Sequence, residues 1–186
     1  APLVIFLGDS LTAGLHLDED LAFPAVLQRR MSDRGLPFRL VNAGVSGDTT
    51  AGGLSRIDWL LNQEPEVVVV ELGGNDGLRG KELAQIEQAL SQIITRIQSR
   101  GAVAVLLGMR IPPSYGQDYS QGFHDLYGRL AEQLDATWVP EVLEGVGGVR
   151  SMNLADGLHP NVDGHERMAD NIEGPLAEAL EALTVR

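Results

Sequence analysis

The sequence predicts an α/β fold of three layers, with one five-stranded parallel sheet between two sets of helices. Three observations carry this. Short apolar runs alternate with longer stretches of helical period, five times along the chain. The runs are nearly free of polar positions, as strands covered on both faces are. No linker, internal repeat or low-complexity tract interrupts the pattern, so residues 1–186 read as a single domain.

The strands are expected at about 3–7, 38–43, 67–72, 103–108 and 137–139. Val67-Val68-Val69-Val70 is the clearest, because four β-branched residues in a row suit a pleated, doubly covered strand. Helices are expected at about 24–34, 49–62, 82–100, 118–134 and 161–183. In the third, Leu83, Ile86, Leu90, Ile93 and Ile97 repeat on one face of a 3.6-residue period. Phe123, Leu126, Tyr127, Leu130 and Leu134 do so in the fourth. Gly174-Pro175 is expected to kink or restart the last helix, since proline has no N–H to donate and its ring meets the preceding turn. The glycine-containing stretch from Pro140 to Ala155 has little periodicity and reads as a functional or mobile loop.

Composition narrows the function. The formal net charge is −12, and an acidic surface repels phosphate backbones, so no nucleic-acid partner is expected. There is no cysteine, which removes disulfides, thiolate metal sites and a thiol nucleophile together. No apolar run approaches the roughly 20 residues that span a bilayer, so no stable membrane insertion is expected. The start at Ala1-Pro2, next to the first strand, suits a mature chain whose leader has been removed.

Parallel α/β sheets bind ligands beyond the carboxyl ends of their strands. Ser10 follows the first strand, Gly44 the second and Asn75 the third, while Asp156 and His159 follow the fifth. A serine hydroxyl needs a base to take its proton, most often a histidine oriented by an acid. Of the four histidines, only His159 has an acid at short range, in Asp156-Gly157-Leu158-His159-Pro160. Pro160 restricts His159 to an extended backbone just ahead of a helix. Acyl transfer also needs donors for the oxygen that turns negative. The Ser10 N–H, the Gly44 N–H and the Asn75 side-chain amide are the candidates. Each piece has a plainer reading in isolation: a helix start for Asp156-x-x-His159, and turns for Gly44 and for Gly73-Gly74-Asn75-Asp76. Asp9 reads as a turn-closing or capping group, and its place beside Ser10 also makes it a candidate for substrate contact. Asp48 reads as a cap for the second helix. His16, His124 and His165 read as surface or packing residues.

Taken in order, Gly8-Asp9-Ser10-Leu11, the Gly44 region, Gly73-Gly74-Asn75-Asp76 and Asp156-Gly157-Leu158-His159-Pro160 resemble the four sequence blocks of the SGNH (GDSL-type) hydrolases. Ile5-Phe6-Leu7 and Ser46-Gly47-Asp48-Thr49-Thr50 make the chain look most like the bacterial thioesterase I/protease I/lysophospholipase and arylesterase subgroup. The resemblance implies the flavodoxin-like SGNH hydrolase fold. It implies Ser10 as nucleophile, His159 as base, Asp156 as its orienter, and an oxyanion hole of Ser10, Gly44 and Asn75. It also implies cleavage of small-molecule acyl esters and thioesters without metal or cofactor, and a periplasmic or secreted location. The oligomeric state is left open, a monomer included.

Competing motifs are absent. Ser10 is not in a Gly-x-Ser-x-Gly elbow, and there is no phosphate loop, dinucleotide fingerprint or His-Glu-x-x-His. A flavin- or phosphate-binding module of the same architecture is the non-catalytic alternative, with Ser10 and Thr12 as phosphate ligands. It leaves Asn75, Asp156 and His159 without a task. For the acyl chain, Leu78 and the loop residues Met109, Ile111, Pro112 and Tyr115 are the expected apolar wall. A carbohydrate O-deacetylase is the alternative substrate class, and the low aromatic content of 5% argues against a sugar platform.

Overall fold

The computed structural model describes residues 1–185. Five strands form one all-parallel sheet in the order β2-β1-β3-β4-β5: β1 (Leu3–Gly8), β2 (Arg39–Gly44), β3 (Val67–Glu71), β4 (Val103–Leu107) and β5 (Thr137–Val139). This 2-1-3-4-5 order is the flavodoxin-like one, and its direction of winding reverses between β1 and β3. β1 pairs with β2 from Leu3↔Arg39 to Gly8↔Gly44, and with β3 from Val4↔Val67 to Gly8↔Glu71. The central strands β1 and β3 are buried along their whole length, which accounts for their unbroken apolar runs.

Among the described residues, seven α-helices surround the sheet: α1 (Ser10–Ala13), α2 (Phe23–Asp33), α3 (Thr50–Leu61), α4 (Gly74–Leu78), α5 (Leu83–Ser99), α6 (Gln117–Leu134) and α7 (Val162–Thr184). α2 packs on α7 at one face, and α3, α5 and α6 pack side by side at the other. The five long helices and five strands lie where periodicity puts them. The single turns α1 and α4 are too short to show a period, and both carry site residues.

Helix α7 runs from Val162 to Thr184 without restarting at Pro175. Ile172, Leu176 and Leu180, on both sides of the proline, are all buried in the same core, and that shared face holds the segment in one helix. The loop after β5 is fastened by side-chain amides. Asn153 Nδ2 donates to the carbonyls of Val146 and Val149, and Asn171 Nδ2 to those of Val142 and Glu144. An isolated bridge between Asn153 and Pro160 closes the segment that carries Asp156 and His159.

His165 ties α7 to α2. It is 1% exposed, its Nδ1 accepts the Phe23 N–H at 3.0 Å, and its ring stacks on Phe23. Burial lowers its pKa to about 4, so the folded protein holds it neutral. The unfolded chain protonates it near its ordinary value of 6.5. This contribution to stability is therefore complete above that value and is lost as pH falls towards 4. His165→Asn is expected to lower Tm at pH 7 through lost ring packing, but to lose less between pH 6.5 and 4 than the native chain. Thermal unfolding across that range measures it.

Candidate active site

Strand β1 ends at Gly8, and the chain turns at once into α1. Asp9 caps the turn, its Oδ1 accepting the Leu11 N–H at 3.0 Å. Ser10 is the first residue of α1, where a helix leaves its N–H without an intrahelical acceptor. Gly44, opposite Gly8 at the end of β2, lies against α1 so closely that a Cβ there would overlap the backbone of Ala13. Asn42 Nδ2 donates to the Thr12 carbonyl at 2.8 Å and binds the same helix to β2.

The structure brings Ser10, His159 and Asp156 together from opposite ends of the chain. Ser10 Oγ lies 3.3 Å from His159 Nε2. His159 Nδ1 lies 2.6 Å from Asp156 Oδ2, while Asp156 Oδ1 accepts the backbone N–H groups of Leu158 and His159. The His159 N–H, the imidazole and the Leu158 N–H together hold the Asp156 carboxyl well below the usual carboxylate range. It is ionised throughout the neutral range, and its hydrogen bonds set which imidazole nitrogen faces Ser10.

Asn75 enters the rim from α4. Its Nδ2 donates to the Asp48 carbonyl at 2.8 Å and to Asp9 Oδ2 at 3.3 Å. The neighbouring Asp76 is buried and accepts from Thr50 N and Thr50 Oγ1, which locks α4 to the start of α3. Arg56 clamps the other side. Its guanidinium donates to the carbonyls of Gly8 and Ala43 and pairs with Asp48 Oδ2 at 2.7 Å.

The structure corrects several expectations. The Gly44 N–H is not a free donor, because Asn42 Oδ1 accepts it at 2.9 Å. In the exposed turn before Asp48, the N–H of Gly47 has no acceptor among the described residues, and its φ is 81°. Asp48 does not cap α3. Thr49 does, through the Gly52 N–H, and Asp48 serves Arg56 instead. Asp9 is 4% exposed with both oxygens engaged, so it supports the rim and offers no surface to a substrate.

Of the expected apolar wall, Met109 and Ile111 are interior. Met109 packs under Gly74 and Ile111 under Gly77, so both support α4. Leu78, Pro112 and Tyr115 are exposed, as a wall requires.

Sequence reading missed three groups. Val45 and Leu158 are exposed apolar side chains next to the rim segments, and adjacency to Gly47 and His159 could have flagged them. The His16 ring stands edge-to-face with His159 at 5.8 Å, although 143 residues separate them. No local signal marks it. His16, Asp156 and His159 offer ligand atoms within 4.8 Å of one another. A cation there would compete with the hydrogen bonds that already occupy Asp156. The third, Glu71 at the end of β3, is buried behind Asp9.

Comparisons with known proteins agree with this architecture. A model of the GDSL-like lipase/acylhydrolase family matches residues 6–167. Esterase TesA of Pseudomonas aeruginosa is 46% identical over 97% of this chain and 90% of its own length. Thioesterase 1/protease 1/lysophospholipase L1 of Escherichia coli is 39% identical over 91% of this chain and 81% of its own. The crystal structure of a TesA superposes with a TM-score of 0.92 at 44% identity, covering 95% of this chain and 99% of the other. Fold and relatives together define a hydrolase of carboxylic esters. The chain belongs to the GDSL-like lipase/acylhydrolase family.

The contact between Gly44 and α1 gives a direct test. Gly44→Ala forces backbone to move beneath Ser10, an overpacking cost of about 1–3 kcal/mol. It is expected to lower both Tm and turnover, whereas Val45→Ala, one residue on and exposed, leaves Tm in place.

Proposed function

We propose that the protein cleaves carboxylic esters and acyl thioesters by acyl transfer through Ser10. His159 Nε2 takes the Ser10 proton as Oγ attacks the carbonyl carbon. The carbonyl oxygen becomes an oxyanion, met by the N–H groups of Ser10 and Gly47 and by the Asn75 amide. Asn75 reaches it by yielding its long 3.3 Å bond to Asp9 and keeping the 2.8 Å bond to Asp48. The tetrahedral adduct collapses, the C–O or C–S bond breaks, and the leaving group receives the proton from His159. Water, deprotonated by the same nitrogen, then attacks the acyl-enzyme and releases the acid. Asp156 stays ionised and stabilises the imidazolium formed in each half-reaction.

One observation carries the reading: hydroxyl, imidazole and carboxylate are linked in series at the switch point of the sheet, at 3.3 and 2.6 Å. The exposed apolar side chains Val45, Leu78 and Leu158 beside the rim favour an acyl chain over a sugar. The names of the relatives support esters and thioesters as the substrate class.

Ser10→Ala is expected to lower kcat by roughly 10⁴–10⁶-fold with the fold intact, and to abolish covalent labelling by an organophosphonate. Turnover close to that of the native chain would exclude the mechanism. Asp156→Asn should cost about 10⁴-fold by losing the imidazole orientation. A p-nitrophenyl ester series from acetate to palmitate, run beside acetylated xylan, tests the substrate class. Hydrolysis of the aryl and short- to medium-chain esters is expected, and activity confined to acetylated xylan would overturn it.

A further inference from the structure

Beneath the rim lies a pair of carboxyl groups that acyl transfer does not use. Glu71 is 1% exposed and Asp9 4% exposed. Glu71 Oε1 is saturated: it accepts Thr12 Oγ1 at 2.8 Å, Thr12 N at 3.1 Å and Asp9 N at 3.3 Å. Its Oε2 is buried and meets no donor among the described residues. The two acids are packed together: Glu71 Oε1 holds the N–H of Asp9, and each carboxyl shifts the titration of the other. Two buried carboxyl groups in contact can bond to each other only with a proton between them. Asp9 already accepts from Leu11 N and Asn75 Nδ2. Glu71 Oε2 is the oxygen left to carry the proton.

We propose that Glu71 is a positioning residue that keeps a proton on Oε2 and donates it to Asp9, so that Asp9 holds the start of α1 and presets Asn75 in the resting site until the oxyanion takes up that amide. The pair then carries one negative charge in place of two. This rests on the reading of Asn75 as an oxyanion donor. It extends that reading to a residue that touches neither substrate nor nucleophile.

The surroundings agree. Burial pushes the Glu71 carboxyl well above its ordinary value, and the charge of Asp9 pushes it the same way. Tyr127 of α6 faces Glu71, Asp9 and Asp76, and is itself held neutral by burial. Asp9 further faces Asp48 and His159. Among the described residues no cationic side chain pairs with Glu71 or Asp9: Arg56 is bound to Asp48, and Lys81 lies 3.6 Å from Asp76. A second ionised carboxylate would therefore stand unpaired, next to the place where the reaction develops negative charge. The arrangement needs one acid to remain neutral.

Two measurements on the native chain, Glu71→Gln and Glu71→Ala test this. The first does not depend on catalysis. An acid neutral in the fold and ionised in the unfolded chain loses stability as pH rises above its ordinary value of 4.5 towards the raised one. Glutamine has no proton to lose. The Tm of the native chain is therefore expected to fall relative to that of Glu71→Gln between pH 5 and pH 9. Parallel curves would overturn the protonated assignment.

The second is p-nitrophenyl ester turnover. Glu71→Ala is expected to lower kcat about 100-fold with KM nearly unchanged, the size of losing one oxyanion donor. Glu71→Gln, which still donates to Asp9, is expected to recover most of that loss and to keep its rate at alkaline pH where the native chain declines. Equal loss in both variants, or an alkaline decline shared by the native chain and Glu71→Gln, would overturn the positioning role. Should Glu71→Ala fail to fold, the glutamine variant carries both tests. An active Ser10→Ala would instead refute acyl transfer and leave the Tm result standing.

Discussion

Everything at the rim depends on the close approach of α1 to two glycines at the strand ends. Gly8 and Gly44 face each other at the carboxyl ends of β1 and β2, and α1 lies directly across them. A Cβ on Gly8 would overlap Thr12 Oγ1, and one on Gly44 the backbone of Ala13. With no side chain on either glycine, α1 rests directly on the strand ends, and the position of Ser10 follows from the sheet itself. The central strands β1 and β3 are buried throughout and close-packed on both faces. A nucleophile set this way has little freedom to drift from its base. That matters because misplacement by about 1 Å can cost 100-fold in rate.

Around that contact the loops are held by charged groups that face backbone. Arg56 donates to the carbonyls of Gly8 and Ala43 at the ends of β1 and β2. Asp76 accepts two bonds from Thr50, and Asp156 accepts two backbone N–H groups. The buried Asp76 thus receives donors that offset its loss of water, while the donors on the exposed Asp156 fix its direction. Buried charge in this protein serves position more than stability. It fixes short segments, α1 and α4, that could not persist as helices on their own.

The architecture was legible because its cause is local. Val67 to Val70 cannot be a solvated helix face, and the spacing from Leu83 to Ile97 cannot be a strand. Ser10, Asn75, Asp156 and His159 were legible because each stands at a strand end or in a short motif with an internal partner. What failed was whatever depends on a distant side chain. Gly44 and Gly47 are both turn glycines to the eye, and only the side chain of Asn42 decides which N–H is spent. Glu71 reads as the polar end of a valine strand, because its partners Asp9 and Thr12 lie about sixty residues back. His16 meets His159 only after the chain has closed on itself. Met109 and Ile111 were placed near the right segment, but burial under α4 is a property of packing that a short loop sequence does not encode.

The imidazole and its acid sit three residues apart on one short bridge-closed loop, while the hydroxyl belongs to the sheet. The pair therefore travels as a unit: displacing the loop changes one spacing, 3.3 Å, and leaves the other intact. Such a module has a single adjustable coordinate. A change in the length of the preceding connection would slide this pair towards or away from the fixed hydroxyl, with no redesign of the proton relay within it.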